Sequence, residues 1–214
     1  MGTSPTRQRR NRQATEEAIL QAFATVVVRD GLQAANPTTV MAEAGYSKPL
    51  LYDYFGDMRG LVQAWFDRNQ LWPNYDFPAS IDSDAALKQS LKRFLLSMAD
   101  AIRANPILLE FLAAELNRSW EYQSILEASR NEWLQKNMAD VMSHPEIREE
   151  DNWNLLFVAY NAINYLALRS RAGTAHVGLH LNEDDDWRDA MRRVESVIDD
   201  LIMVSKLRRT LAAD

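Results

Sequence analysis

Ser47, Lys48 and Pro49 put a hydroxyl, an ammonium and a helix-starting imino ring in consecutive positions, directly after the Gly45-Tyr46 break. A helix N-terminus directs unpaired amides outward and favours negative charge there, so a hydroxyl and a lysine at that point converge on phosphate. Tyr52 and Tyr54 add phenol donors one turn further on, at a spacing that reaches a nucleic-acid backbone or groove. Leu50 and Tyr52 lie nearer to base edges, whereas Lys48 and Tyr54 act mainly on phosphate. A second group able to do chemistry is His176 and His180, four residues apart and followed by Glu183, Asp184, Asp185 and Asp186. On a helix that spacing binds a divalent cation. Gly173 and Gly178 favour a loop instead, and an acidic run before a helix is favoured by the helix dipole alone. No Ser, His and acid set has local motif support. The expectation is therefore no catalytic residue, no metal site and no cofactor, with a metal-dependent enzyme or a helical adaptor as the alternatives.

Composition narrows the field. The 214 residues contain no Cys, which removes disulfides, thiolate metal sites and cysteine nucleophiles and points to a reducing, cytoplasmic setting. No apolar run reaches the length of a membrane span. Arg7, Arg9, Arg10 and Arg12 precede no apolar h-region, so they do not mark a signal peptide; they form a basic arm, either beside DNA or as a solvated tail. The net charge of −6 is unevenly divided. Residues 1–60 carry seven Lys/Arg against six Asp/Glu, so the acid sits elsewhere and a local basic patch remains available.

Helical periodicity positions these groups. Ile19, Leu20, Phe23 and Val27 recur at spacings of three and four until Gly31, predicting a helix over about 13–29. Asn36-Pro37-Thr38-Thr39 starts a second, short helix that Gly45 ends. Ser47 caps a third, through Phe55, and Asp57 caps a fourth, through Leu61, Val62, Trp65 and Phe66. Residues 71–83, with Trp72, Pro73, Tyr75, Phe77 and Pro78, have no period and read as a connection. Further helices are expected near 84–104, 106–117, 121–142, 149–172 and 184–210, and no strand. The short helix, tight turn and short helix over 37–55 have the form of a helix-turn-helix, whose second helix enters the major groove by its N-terminal end.

From Gln13 to about Gln70 the chain resembles the TetR family of transcriptional regulators. The match runs through Ala18-Ile19-Leu20, Phe23, Gly31 and Val40, then Ala44-Gly45-Tyr46-Ser47-Lys48-Pro49-Leu50-Leu51-Tyr52-Asp53-Tyr54-Phe55. Ser-Lys followed by Tyr, a second aromatic and Phe is the family's pattern. The resemblance implies DNA contacts from Thr38 and Thr39 at the second helix and from Ser47, Lys48, Tyr52 and Tyr54 around the third. Two positions depart from the pattern. Asp53 stands where many members have His, and repels phosphate unless it accepts from a cytosine amino group. Met58, followed by Arg59, stands where many have Lys.

The expected fold is all-α. It comprises a basic arm over 1–12, a helix-turn-helix DNA-binding domain over 13–70 and a helical effector-binding and dimerisation domain over 71–214. The resemblance implies a homodimeric repressor on a palindromic operator, released by a small apolar or aromatic effector, with the last two helices forming the dimer seam. Trp187, Met191, Val194, Ile198 and Leu201 recur as a packed seam would require, and Trp153, Phe157, Tyr160 and Asn164 mark a face on the preceding helix. For the effector pocket, which the resemblance also implies, the candidates are Phe111, Trp120, Trp133, Tyr160, Asn161 and Tyr165. Asn161 and Asn164 stand within an apolar helix, where a buried amide must find partners.

Overall fold

Nine α-helices follow one another in the computed structural model, which describes residues 5–75, 83–116, 121–143 and 150–213, and no strand occurs among those residues. They are α1 (Pro5–Asp30), α2 (Pro37–Ala44), α3 (Lys48–Phe55), α4 (Met58–Arg68), α5 (Asp84–Arg103), α6 (Pro106–Glu115), α7 (Gln123–Ser143), α8 (Glu150–Ser170) and α9 (Asp184–Ala213). The proline and cap signals place the starts closely. Pro37 and Pro106 open α2 and α6, and Ser83 and Asp57 accept from the Ala86 and Gly60 amides at the heads of α5 and α4. The arm expected over 1–12 departs from this. Residues 5–12 belong to α1, because Pro5 suits a first helical turn and the Arg and Gln that follow are good helix formers.

The helices sort into two compact units. The first contains residues 1–71 and 106–129, the second residues 72–105 and 130–214. α6 and the start of α7 thus pack with the N-terminal helices, although they lie beyond the expected boundary near residue 70. In the first unit α1 lays Ile19, Leu20, Phe23, Val26 and Val27 against Val40 and Met41 of α2, Leu61 and Val62 of α4 and Leu108 of α6, all of them buried. Phe23, Trp65, Phe66 and Phe111 form one aromatic cluster, with Phe66 and Phe111 edge-to-face at 4.9 Å. That cluster ties α1, α4 and α6 together.

The second unit is held by α5, α8 and α9. Leu91, Leu95, Met98 and Ile102 of α5 are buried, as are Leu156, Ile163 and Ala167 of α8 and Trp187, Met191 and Ile198 of α9. Polar ties fix the register of α9 on α5. The Trp187 indole donates to Asp100 at 2.7 Å, and Lys92 pairs with Glu195 at 2.6 Å and Asp199 at 3.0 Å. These contacts revise the expected seam on α9. Of its 4-3-4 stripe, Trp187, Met191 and Ile198 face the chain's own core, while Val194 is half-buried, since a single wide apolar stripe serves burial within a protomer first. The side chains of Trp153 and Leu201 lie outside the described residues.

Between α8 and α9 the chain turns through a bridge in which the His176 and Leu179 amides and carbonyls bond each other at 2.7 and 3.0 Å. His176 and His180 therefore stand on a hairpin rather than on one helix face. Among the described residues no group of three or more His, Cys, Asp or Glu is placed to hold a metal. No described helix is long and apolar enough to cross a membrane.

Candidate nucleic-acid interface and effector cavity

The motif is built from caps, a left-handed glycine and one close backbone approach. Asn36 Oδ1 accepts from the Thr38 and Thr39 amides at 2.9 and 3.3 Å, while the Asn36 amide donates to Thr39 Oγ1 at 3.1 Å. The Thr39 hydroxyl in turn donates to the Ala34 carbonyl. Thr39 is thus engaged in holding the head of α2, and Thr38 is the exposed hydroxyl there. Gly45, at φ 72°, closes α2 in the left-handed region, where a side chain would cost about 1–2 kcal/mol. Gly60 is fixed differently. A Cβ at that position would stand 1.9 Å from the Phe55 carbonyl oxygen, so only glycine lets α4 start so close behind α3.

Ser47 occupies the cap position of α3, yet its hydroxyl makes no bond to the first-turn amides, contrary to its expected capping role. Along α3, Lys48, Pro49, Tyr52 and Asp53 are exposed while Leu51 is fully buried. Leu50, Tyr54 and Phe55 are half-buried at the margin. Lys48 and Tyr52, one turn apart, consequently share the outward face with Asp53. Tyr54 is covered by Arg12, whose guanidinium carbon lies 4.7 Å from the ring centroid. Such a stack brings a cation from α1 to the flank of α3 and turns the Tyr54 ring into its support.

Two further features of this face escaped the reading of the residues. Tyr46, in the turn itself, is 41% exposed, an aromatic at a position where packing does not demand one. Arg59, though exposed, donates to the Glu121 carbonyl at 3.0 Å and to Ser124 Oγ at 2.8 Å. With Met58 buried, the head of α4 offers no lysine-like contact. Glu16 receives Arg68 at 2.7 Å and Arg12 at 3.0 Å, and the Arg68 hydrogen bond leads in holding its carboxyl below the usual range.

The six effector candidates separate. Phe111 is fully buried in the aromatic core of the first unit. Trp133 is buried in the second, its indole donating to the Pro73 carbonyl at 2.8 Å and its ring stacked on Phe94. Tyr165 is half exposed and stands edge-on to His176 at 5.4 Å. Trp120 lies outside the described residues. Tyr160 and Asn161 do come together, on the wall of a cavity of about 330 Å³ in the second unit. Phe94 and Leu95 of α5 and Arg130 and Leu134 of α7 line it opposite Leu156 and Phe157 of α8. Asn161 is exposed rather than buried, and donates to the Phe157 carbonyl of its own helix at 2.8 Å. Asn164 does the same to Tyr160, also at 2.8 Å.

A second hollow of about 300 Å³ opens on α8, α9 and the hairpin, lined largely by aliphatic side chains including Val158, Val177, Val194 and Val197. Val158 and Val197 are 59% and 54% exposed, and Val177, at the hairpin tip, more so. Val177 and Gly178 both have positive φ, 50° and 81°, which suits a tight two-residue hairpin turn but is rare for a β-branched residue.

No family profile matches the sequence, and no curated protein does. Solved structures do match. A Rhodococcus sp. protein described as a candidate TetR-family transcriptional regulator aligns with a TM-score of 0.56 at 18% identity, over 89% of this chain and 98% of its own. A HlyIIR variant carrying a GSSGSSG linker aligns with a TM-score of 0.50 at 14% identity, over 87% of this chain and 96% of its own. The chain has the fold of TetR-family transcriptional regulators.

Proposed function

We propose that the chain is a sequence-specific DNA-binding transcriptional regulator of the TetR type, acting as a homodimer and released from its operator by a small molecule. One observation carries this reading: α3 is held by Leu51 with its N-terminal end free, and Ser47, Lys48 and Tyr52 share its exposed side. A recognition helix needs that arrangement, since phosphate contacts fix its register and the next turn reaches base edges. The Rhodococcus sp. neighbour, described as a candidate transcriptional regulator, supports the same reading. Residues 13–70 supply the reading head, with α6 and the start of α7 packed behind it. Residues 71–214 supply the effector cavity and the dimer face.

The dimer face is the aliphatic hollow on α8 and α9, whose exposed valines a monomer would leave in water. Selection of binding sites from random duplex DNA tests the proposal. A two-fold symmetric site should emerge, its half-site centres separated by about one helical turn or a multiple. Absence of any enriched sequence would refute it.

A further inference from the structure

We propose that Arg12 is a phosphate-binding residue of the DNA interface, and that Tyr54 is the platform that holds it there rather than a contact in its own right. This rests on reading the chain as a DNA-binding regulator and adds to the same interface a residue of α1. Three helices meet at the site. The Arg12 guanidinium carbon lies 4.7 Å from the centroid of the Tyr54 ring on α3, and Arg12 Nε donates to Glu16 Oε1 at 3.0 Å. Glu16 Oε2 accepts from Arg68 Nη2 on α4 at 2.7 Å. Pinned at two points, the Arg12 side chain is still 56% exposed. Its terminal nitrogens, Nη1 and Nη2, meet no acceptor among the described residues. Stacking uses the face of a guanidinium, whereas an oxyanion is bound by its edge, where those N–H donors lie.

Charge says why the arrangement suits an anion. A carboxylate beside a phosphate contact would oppose it, but Glu16 is shared by two guanidiniums, so the three groups together remain cationic. The Arg68 hydrogen bond leads in lowering the Glu16 carboxyl, which keeps the tether ionised at neutral pH. Along α3 itself Lys48 is matched by Asp53, both exposed, so the helix carries no net side-chain charge. A cation brought from α1 to its flank tips that face toward phosphate. The platform is firm as well. Tyr54 is half-buried and stands edge-to-face with Phe55 at 6.4 Å, so the ring beneath Arg12 has its own support. A long arginine held in this way has less freedom to lose when it meets its ligand, which is how pre-organisation raises affinity. To the fold the exposed Arg12–Glu16 pair contributes little, since surface ion pairs within one helix are weak.

Fluorescence anisotropy of the full chain over a salt series tests this, on a mixed-sequence duplex and on the site enriched from random duplexes. Arg12→Gln should flatten the slope of log affinity against log salt by about 1.8, one phosphate contact in each protomer of a dimer. Between about 50 and 200 mM salt the unaltered chain should then lose about twelvefold more affinity than the variant. Arg12→Lys, which keeps the charge, should keep the slope. Tyr54→Phe, which keeps the ring, should bind within about twofold of the unaltered chain. Tyr54→Ala should weaken binding by up to about fivefold for each protomer, the worth of an exposed stack, and that loss should vanish once Arg12 is already Gln. If Arg12→Gln leaves the slope unchanged while Lys48→Ala flattens it, or if Arg12→Lys flattens it as far as Gln does, the Arg12 assignment is overturned and the DNA-binding reading stands. If neither Arg12→Gln nor Lys48→Ala moves the slope, or no duplex binds, both fall. Equal losses in Tyr54→Phe and Tyr54→Ala would put the hydroxyl on DNA and overturn the platform role. Should Tyr54→Ala fail to fold in a circular dichroism melt, the exposed Arg12 variants and Tyr54→Phe still decide.

Discussion

Lys48→Ala isolates the electrostatic part of the proposed DNA contact. Lys48 is the first residue of α3 and is exposed, with its stem clear of the core that Leu51 anchors, so its removal should leave the fold intact. Each protomer then gives up one phosphate partner and the dimer gives up two, which should flatten the slope of log affinity against log salt by about 1.8. Between about 50 and 200 mM salt the unaltered dimer should therefore lose about twelvefold more affinity than the variant. The weakening should be the same on operator and on unrelated DNA, because phosphate carries no sequence information. Fluorescence anisotropy across a salt series, on both duplexes, reads slope and specificity together. An unchanged slope and affinity would remove Lys48 from the interface and with it the main support for α3 as the recognition helix. Tyr52→Phe provides the contrast. If the Tyr52 hydroxyl meets a base edge, removing it should shift preference at one operator position by about 1–3 kcal/mol while keeping the salt slope.

The dimer face should be broken by Val158→Glu with Val197→Glu, both exposed in the single chain, giving a folded monomer by light scattering and circular dichroism; a surviving dimer would place the seam elsewhere. Gly60→Ala should destabilise by about 1–3 kcal/mol in denaturant melts despite alanine's better helix propensity, because its Cβ meets the rigid Phe55 carbonyl, and an increase in stability would contradict that contact. Asp199 is paired to Lys88 at 2.5 Å and to Lys92 at 3.0 Å, and the Lys88 hydrogen bond leads in holding its carboxyl below the ordinary range. Its stabilisation is therefore complete above the ordinary carboxylate range and is lost as pH falls through its lowered folded value. Asp199→Asn should flatten the acid limb of a melting-temperature profile, and an unaltered limb would show that this pair contributes nothing.

Most of the element boundaries were legible because local signals and burial agree. Pro37 and Pro106 open helices, Gly31 and Gly45 close them, and the three- and four-residue spacing of Ile19, Leu20, Phe23 and Val27 matches the face that α1 buries. Where one signal served two purposes, the residues alone could not choose. Ser47 has the residue type of a cap and the position of one, but its hydroxyl makes no capping bond; Thr39 has the type of a DNA contact, but its hydroxyl holds the head of its own helix. Apolar periodicity on α9 reports burial without saying against what. Trp187, Met191 and Ile198 turn inward, while the exposed aliphatic surface nearby is made by the less regular Val158, Val177 and Val197. Gly60 gave no local sign at all, since its requirement arises from the carbonyl of Phe55 across a helix junction.

The same distinction explains why aromatic type alone does not mark a cavity wall. Phe111 and Trp133 are large and flat, and that is what a core needs: each is buried among other rings, where it contributes most by removing its whole surface from water. A ligand site must keep part of its surface unfilled, so its wall is made by residues that stop short of one another. Leu134, Leu156 and Phe157 do so around the Tyr160 and Asn161 wall. Arg130 stands in a segment whose sequence neighbours, Ser129, Asn131 and Glu132, are polar, so on α7 it reads as one more solvated residue. Its stack on Trp72 and its place on the cavity wall with Phe94 and Tyr160 emerge only once the helices come together. The proposed DNA-binding role is therefore written most plainly where the backbone itself must be special, at the caps and turns around α3. A cavity wall is less plain, since side chains from three distant helices are merely adjacent there.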